Sequence, residues 1–193
     1  MGRGSGISTA SRGNALPKRG YTIKPELSSA EIKAVEDYVN NDLAGEINFS
    51  LREKDGAYDE TADALRSAIN KGALKENKTL YRGLVDYDGT YSDLNAGDYI
   101  GSSSFLSTSV DPKVAGNFLD SSAKKNVVLK IEAAKGTQAL EPSSVLSTLE
   151  FGDAEEVLLS TDTRLKILSR TNRSYELFDG SSIETLEITA QII

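Results

Sequence analysis

The sequence predicts an α+β domain, helices first and antiparallel sheet after. Up to about residue 78 the apolar positions recur at helical spacing, and from there the chain turns into short β-rich runs bounded by Gly, Asn and Asp. No regular βαβ alternation appears, which argues against a parallel α/β sheet. At 193 residues the chain suits one domain with a buried core and shows no internal repeat.

The elements follow in order. Residues 1–20, "MGRGSGISTASRGNALPKRG", are rich in Gly, Ser and Arg with little to bury, so they are expected to be a disordered basic arm or leader, with one folded domain over 21–193. In "LSSAEIKAVEDYVNNDL" the pair Ser28 and Glu31 has capping-box spacing, and Ile32, Val35, Val39 and Leu43 are expected to face the core. A short helix is expected around Ile47 to Leu51, and a third from about Thr61 to Ile69, stopped at Gly72. The strand runs are "TLYRG", "GDYIGSSSFLSTSV", "NVVLKIEAA", "EEVLLS", "RLKILSRTN" and "TLEITAQII". One helix interrupts them, with Asp111 as N-cap, Pro112 at the first helical position and "KVAGNFL" following.

Composition narrows the chemistry. Lys and Arg number 22 against 29 Asp and Glu, a net of −7. Five of those cations precede Glu26, the first acid, so the rest carries 17 cations against 29 acids, a net of −12. An acidic body argues against a nucleic-acid groove, although the basic arm could touch RNA or a partner. Cys and His are both absent, which removes disulfides, thiol nucleophiles, imidazole acid–base chemistry and Cys/His metal sites. An enzyme built from this chain must work with carboxylates, hydroxyls and Arg. No apolar run approaches the ~18 residues of a membrane span, and no signal-peptide core is present, so the chain reads as soluble.

Three stretches carry candidate chemistry: Arg82 in "LYRG", the hydroxyls of "FLSTS" at Phe105 to Ser109, and the adjacent glutamates of "FGDAEEVLL" at Phe151 to Leu159. Each alone has a plainer explanation. A strand Arg can be a surface ion pair, a Ser-Thr-Ser run a half-exposed strand, and glutamates before an apolar run a solvated strand end.

In this order the three stretches resemble the Arg-Ser-Glu class of mono-ADP-ribosyltransferases, which includes clostridial toxins, vertebrate ecto-transferases and transferases of T-even phages. The class pattern is an aromatic-Arg-Gly strand end, then Ser-Thr-Ser, then Glu or Gln, any residue, and Glu leading into Val-Leu-Leu. Here these are Tyr81-Arg82-Gly83, Ser107-Thr108-Ser109 and Ala154-Glu155-Glu156. The resemblance covers about Ser28 to Ile193, and the absence of His excludes the diphtheria-toxin branch. It implies two antiparallel sheets meeting at an angle, the helical segment packed on them, and NAD in the cleft between.

The resemblance also implies roles. Arg82 would anchor the NAD pyrophosphate through its planar fork. Glu156 would stabilise positive charge on the ribose as nicotinamide leaves, and Ser107 would orient Glu156. Gly83, Thr108 and Ser109 would line the NAD site, Gly83 by close backbone approach. Phe118 would lie against the nicotinamide ring or else form an i, i+4 core pair with Val114. Tyr38 could lie over the cleft, though a core position suits it as well. Only Lys124 and Lys125 follow Phe118 where some toxins carry an Arg. No metal is implied.

Strand alternation puts Ala154, Glu156 and Leu158 on one face, and Asp153, Glu155, Val157 and Leu159 on the other. The class pattern selects Glu156 and leaves Phe151, Ala154 and Glu155 for recognition of the acceptor. The competing frame is Asp153 with Glu155. Ala154 departs from the class, whose arginine-specific members carry Glu there and whose Asn-modifying members carry Gln. Asp153 or Glu155 could supply the missing base, the chain could mainly hydrolyse NAD, or Ala154 could be an engineered change.

The expected function is therefore NAD-dependent transfer of ADP-ribose to a protein side chain, with arginine as the acceptor. The alternatives are an NAD glycohydrolase with the same site and, from a different class, a non-catalytic binding module. The expected setting is a monomeric, phage-encoded or delivered effector modifying host proteins in the host cytoplasm.

Overall fold

The computed structural model describes residues 20–193 apart from 42, 55, 124, 150–154 and 178. Residues 1–19 of the basic arm, Lys124, Phe151, Asp153 and Ala154 therefore lie outside the described residues.

The helical segment consists of α1 (Ser29–Val39), α2 (Ala44–Glu53) and α3 (Asp59–Lys71). The capping box forms as its spacing dictates: Glu31 N donates to Ser28 Oγ at 3.3 Å and Ser28 N donates to Glu31 Oε2 at 2.7 Å. The buried stripe of α1 differs from expectation. It is Glu31, Ala34, Val35 and Tyr38, while Ile32 is exposed and Val39 half-buried. Two contacts rotate the helix to this phase: the Tyr38 ring meets Phe105 edge-on with centroids 5.8 Å apart, and Lys71 on α3 pairs with Glu31 at 2.6 Å. Both α2 and α3 run past the expected bounds. Gly72 follows α3, where a Cβ would sit 2.3 Å from the Ala139 carbonyl oxygen, so glycine is needed for close approach of that segment.

Seven strands follow: β1 (Lys78–Val85), β2 (Tyr99–Gly101), β3 (Leu106–Ser109), β4 (Asn126–Ala133), β5 (Glu156–Leu159), β6 (Arg164–Glu176) and β7 (Ser182–Ile192). A short helix α4 (Pro112–Gly116) separates β3 from β4, its N-cap Asp111 accepting from Lys113 N at 2.9 Å. It ends before Phe118, so the expected helical pair of Val114 and Phe118 does not form. The 6–7 hairpin is longer than the apolar runs suggested, because residues 168–174 are all exposed and are held in β6 by pairing with β7.

The strand order is β2-β6-β7-β4-β1-β3-β5. All pairs are antiparallel except β4 with β7, which is parallel and departs from the all-antiparallel expectation. The chain between these two strands makes the long excursion through β5 and β6 that a parallel crossover requires. β1 and β3 meet at one residue pair, Tyr81 with Ser109, whereas β1 and β4 pair over the whole of β1. Five strands and the β3–β5 pair are thus joined at a single point, and the sheet opens there.

Two apolar layers form on the two sides of β3 and β5. Leu106, Val157 and Leu159 join Leu80, Leu129, Ile131, Leu165, Ile167 and Ile188 in one. Phe105 and Leu158 join Val35, Tyr38, Ile47, Leu65 and Ile69 under the helices in the other.

Candidate active site

The opening between β1 and β3 leads into a cleft of about 660 Å³. This falls within the size range of small-molecule and cofactor sites. Its walls come from α1 and α2 on one side, from β1, β3 and β5 at the back, and from α4 with Phe118 on the other.

Alternation along β5 fixes its polar entry. Val157 and Leu159 point into the sheet core and Leu158 into the helical core, so Glu156, two residues before Leu158, lies on the helix side and lines the cleft. In the β3–β5 ladder Ser107 faces Leu158 and Ser109 faces Glu156. Ser107 and Glu156 are thus diagonal neighbours on one face, and the Ser107 hydroxyl donates to Glu156 Oε1. Burial raises the Glu156 carboxyl from its ordinary value, against the lowering effects of the Ser107 hydrogen bond and of Arg82.

Arg82 enters where β1 and β3 splay apart. Its Nη1 donates to the Ser107 carbonyl at 2.8 Å, satisfying a backbone acceptor where the strands diverge. Its Nε is buried without a partner. A buried cationic donor of this kind suits an anionic ligand. Arg82, Ser107 and Glu156 are therefore brought together on three strands in one cleft.

The other hydroxyls of "STS" are engaged. Thr108 Oγ1 donates to the Val157 carbonyl at 2.6 Å on the opposite face, and Ser109 Oγ accepts from Asp111 N at 3.0 Å. Both residues border the cleft, but among the three only Ser107 turns its hydroxyl to the carboxylate. A Cβ at Gly83 would sit 1.9 Å from the Ala115 carbonyl oxygen, so glycine here lets α4 close on β1. Phe118 is 64% exposed at the cleft wall, free of the core contact that was its alternative reading.

Glu155 stands outside β5 with φ of 51°, a left-handed backbone rare for a residue with a side chain. Alternation therefore cannot be extended through it to residue 154. Its carboxylate accepts from the Tyr21 hydroxyl at 3.3 Å, and it is not among the residues lining the cleft.

Sequence reasoning missed the contribution of α2. Ala44, Asn48 and Arg52 recur every fourth residue and face the cleft together with Gly45. Asn48 is buried; its Nδ2 donates to the Tyr38 hydroxyl at 2.9 Å and its Oδ1 accepts from Phe105 N at 3.0 Å, tying α2 to α1 and to the approach of β3. Tyr38 is both core and cleft wall, and burial raises its hydroxyl to about 12. Arg52 supplies a second cation from the wall facing β1. Lys125, by contrast, reaches Ser92 Oγ at 3.0 Å and is not a cleft residue. A polar pair at i, i+4 after two small residues was the available signal for the α2 face.

Among the described residues no cluster of Asp and Glu is arranged to hold a metal ion, and no helix is long and apolar enough to cross a membrane.

Several solved structures share this fold. C2-I, the enzymatic component of the C2 toxin of Clostridium botulinum, is 19% identical over 87% of this chain with a TM-score of 0.69, and the match spans 44% of that longer protein. Plx2a, an ADP-ribosyltransferase toxin of Paenibacillus larvae, is 21% identical over 86% of this chain and 87% of its own, with a TM-score of 0.64. Vis toxin, an ADP-ribosyltransferase of Vibrio splendidus, is 22% identical over 86% of this chain and 74% of its own, with a TM-score of 0.62. Curated protein sequences give no match. These likenesses establish the fold, and the family model for the ADP-ribosyltransferase exoenzyme matches residues 18–193. With the cleft and its Arg, Ser and Glu in place, the chain belongs to the ADP-ribosyltransferase exoenzyme family.

Proposed function

We propose that this chain is an NAD-dependent mono-ADP-ribosyltransferase that moves ADP-ribose from NAD to a protein side chain and releases nicotinamide. The observation that carries the reading is the Ser107-held Glu156 facing the same cleft as Arg82. BECa of Clostridium perfringens has been solved with NADH, which supports a nicotinamide dinucleotide as the donor here. Vis has been solved with agmatine, whose guanidinium is that of an arginine side chain, and this supports arginine as the acceptor.

In the cleft NAD would supply the ADP-ribosyl group and nicotinamide as its leaving group. Arg82, with its unpartnered Nε, and Arg52 on the facing helix would hold the pyrophosphate. Phe118 offers an exposed ring as a stacking surface for nicotinamide. Glu156 opposes positive charge developing on the ribose, and Ser107 keeps the carboxylate aimed there. The low-dielectric surroundings that raise the proton affinity of Glu156 also strengthen its attraction for that charge. No imidazole is needed, since nicotinamide leaves without a proton. The proposed acceptor is a protein of a host cell.

NAD hydrolysis is the second reading, favoured by Ala154: a methyl stands where the class pattern that the sequence resembles has Glu in its arginine-specific members. Mass spectrometry of a cell lysate incubated with the protein and NAD separates the two. Peptides carrying ADP-ribose on arginine are expected. Free ADP-ribose alone would establish the hydrolase, and intact NAD would refute both.

A further inference from the structure

We propose that Tyr21 is a positioning residue for Glu156: by holding Glu155 it decides which of the two adjacent glutamates enters the cleft. The inference rests on the role of Glu156 given above.

Tyr21 is firmly placed. Its N donates to Glu141 Oε2 at 2.7 Å, its carbonyl accepts from Lys75 N at 3.0 Å, and Lys78 Nζ lies 4.7 Å from the centre of its ring. Thr22 bridges Leu74, and Ile23 N donates to the Ala73 carbonyl at 2.8 Å. The neighbouring Leu140 bridges Leu158 with two backbone hydrogen bonds of 3.0 and 2.8 Å, along the outer edge of β5. Residues 21–23 and 140–141 thus brace the strand that begins with Glu156.

The ring of Tyr21 packs on the apolar layer of Leu106, Val157 and Leu159, on the face of β5 opposite the cleft. From there its hydroxyl reaches Glu155 Oε2 at 3.3 Å. Glu155 needs such a hold, because a left-handed backbone is unfavourable for a residue with a side chain. Its carbonyl is tied as well, accepting from Val110 N at 3.3 Å. A slip of one residue at this point would exchange the faces of Glu155 and Glu156 and take the carboxylate away from Ser107 and Arg82. Tyr21 opposes that slip from the far side of the strand.

The test is a double-mutant cycle on nicotinamide release from NAD, using the full chain with Tyr21→Phe, Glu155→Ala and both together. Tyr21→Phe keeps the ring and every backbone bond. It is expected to lower kcat about five-fold, the worth of one net hydrogen bond, with KM for NAD unchanged and Tm moved by no more than about 4 °C. The Glu155→Ala chain should lose a similar factor, and the double variant no more than either single one. Additive losses, or a kcat untouched by Tyr21→Phe, would overturn the proposal. A wild-type chain that leaves NAD intact would sink the transferase reading alone. The hold would then be read from amide exchange at Val110, faster in Tyr21→Phe if Tyr21 fixes Glu155 and unchanged if it does not.

Discussion

Glu31 is buried and Glu156 half-buried at the cleft wall, and the protein treats the two glutamates in opposite ways. Glu31 sits at the start of α1, where Lys71 and Ser67 both donate to it, Ser67 at 2.6 Å. The Lys71 contact first, then Ser67, overcome the cost of burial and pull its carboxyl down to about 2. Glu156 receives the Ser107 hydroxyl and the field of Arg82, yet burial outweighs them and its carboxyl is raised. Glu31 is saturated and serves the fold. Glu156 is left short of compensation in an open cleft, which is where a carboxylate awaiting a positive partner belongs.

The contrast can be broken at several points. The largest expected effect is at the cation beside Glu156: Arg82→Ala should raise KM for NAD about 100-fold, measured by nicotinamide release, because it removes the half-buried cation at the proposed pyrophosphate site. Next, Glu31→Gln should destabilise the fold by about 1–3 kcal/mol in urea unfolding, since Lys71 and Ser67 lose their charged acceptor. The pH dependence has a definite sign. The folded value of Glu31 lies below its ordinary 4.5, so its contribution is full above about 4.5 and is lost as pH falls from there to about 2. Glu156 works the other way. Its folded form holds a proton more tightly than the unfolded chain does, so ionising Glu156 weakens the fold, and that penalty fades as pH drops below its raised value. The smallest effect follows from that: Glu156→Gln should gain stability, by about 1 kcal/mol, while Glu31→Gln loses it. A destabilised Glu156→Gln chain would erase the distinction between the two sites.

What the sequence disclosed was chiefly local. The capping box of Ser28 and Glu31 and the Asp111-Pro112 start of α4 depend on neighbours a few residues away, and both appear as expected. The two-residue period of "EVLL" placed Glu156 with Leu158 because a strand between two apolar layers has only two faces to offer. The phase of α1 was misread because Ile32 is as apolar as Val35, and only the distant partners Phe105 and Lys71 select the buried side. Arg52 and Asn48 went unseen for the same reason, since which side of α2 borders the cleft depends on strands far along the chain. The turn at Glu155 was invisible because a left-handed glutamate has no signature of its own. Its partner Tyr21 lies 134 residues earlier.

The central claim is that Glu156, and not its neighbour, meets the ribose. Nicotinamide release from NAD by Glu156→Gln and Glu155→Gln, measured side by side, tests it most directly. The account predicts a loss of about 100-fold or more in kcat for Glu156→Gln, with both chains folded and Glu155→Gln losing no more than several-fold. The reverse order of losses would contradict it.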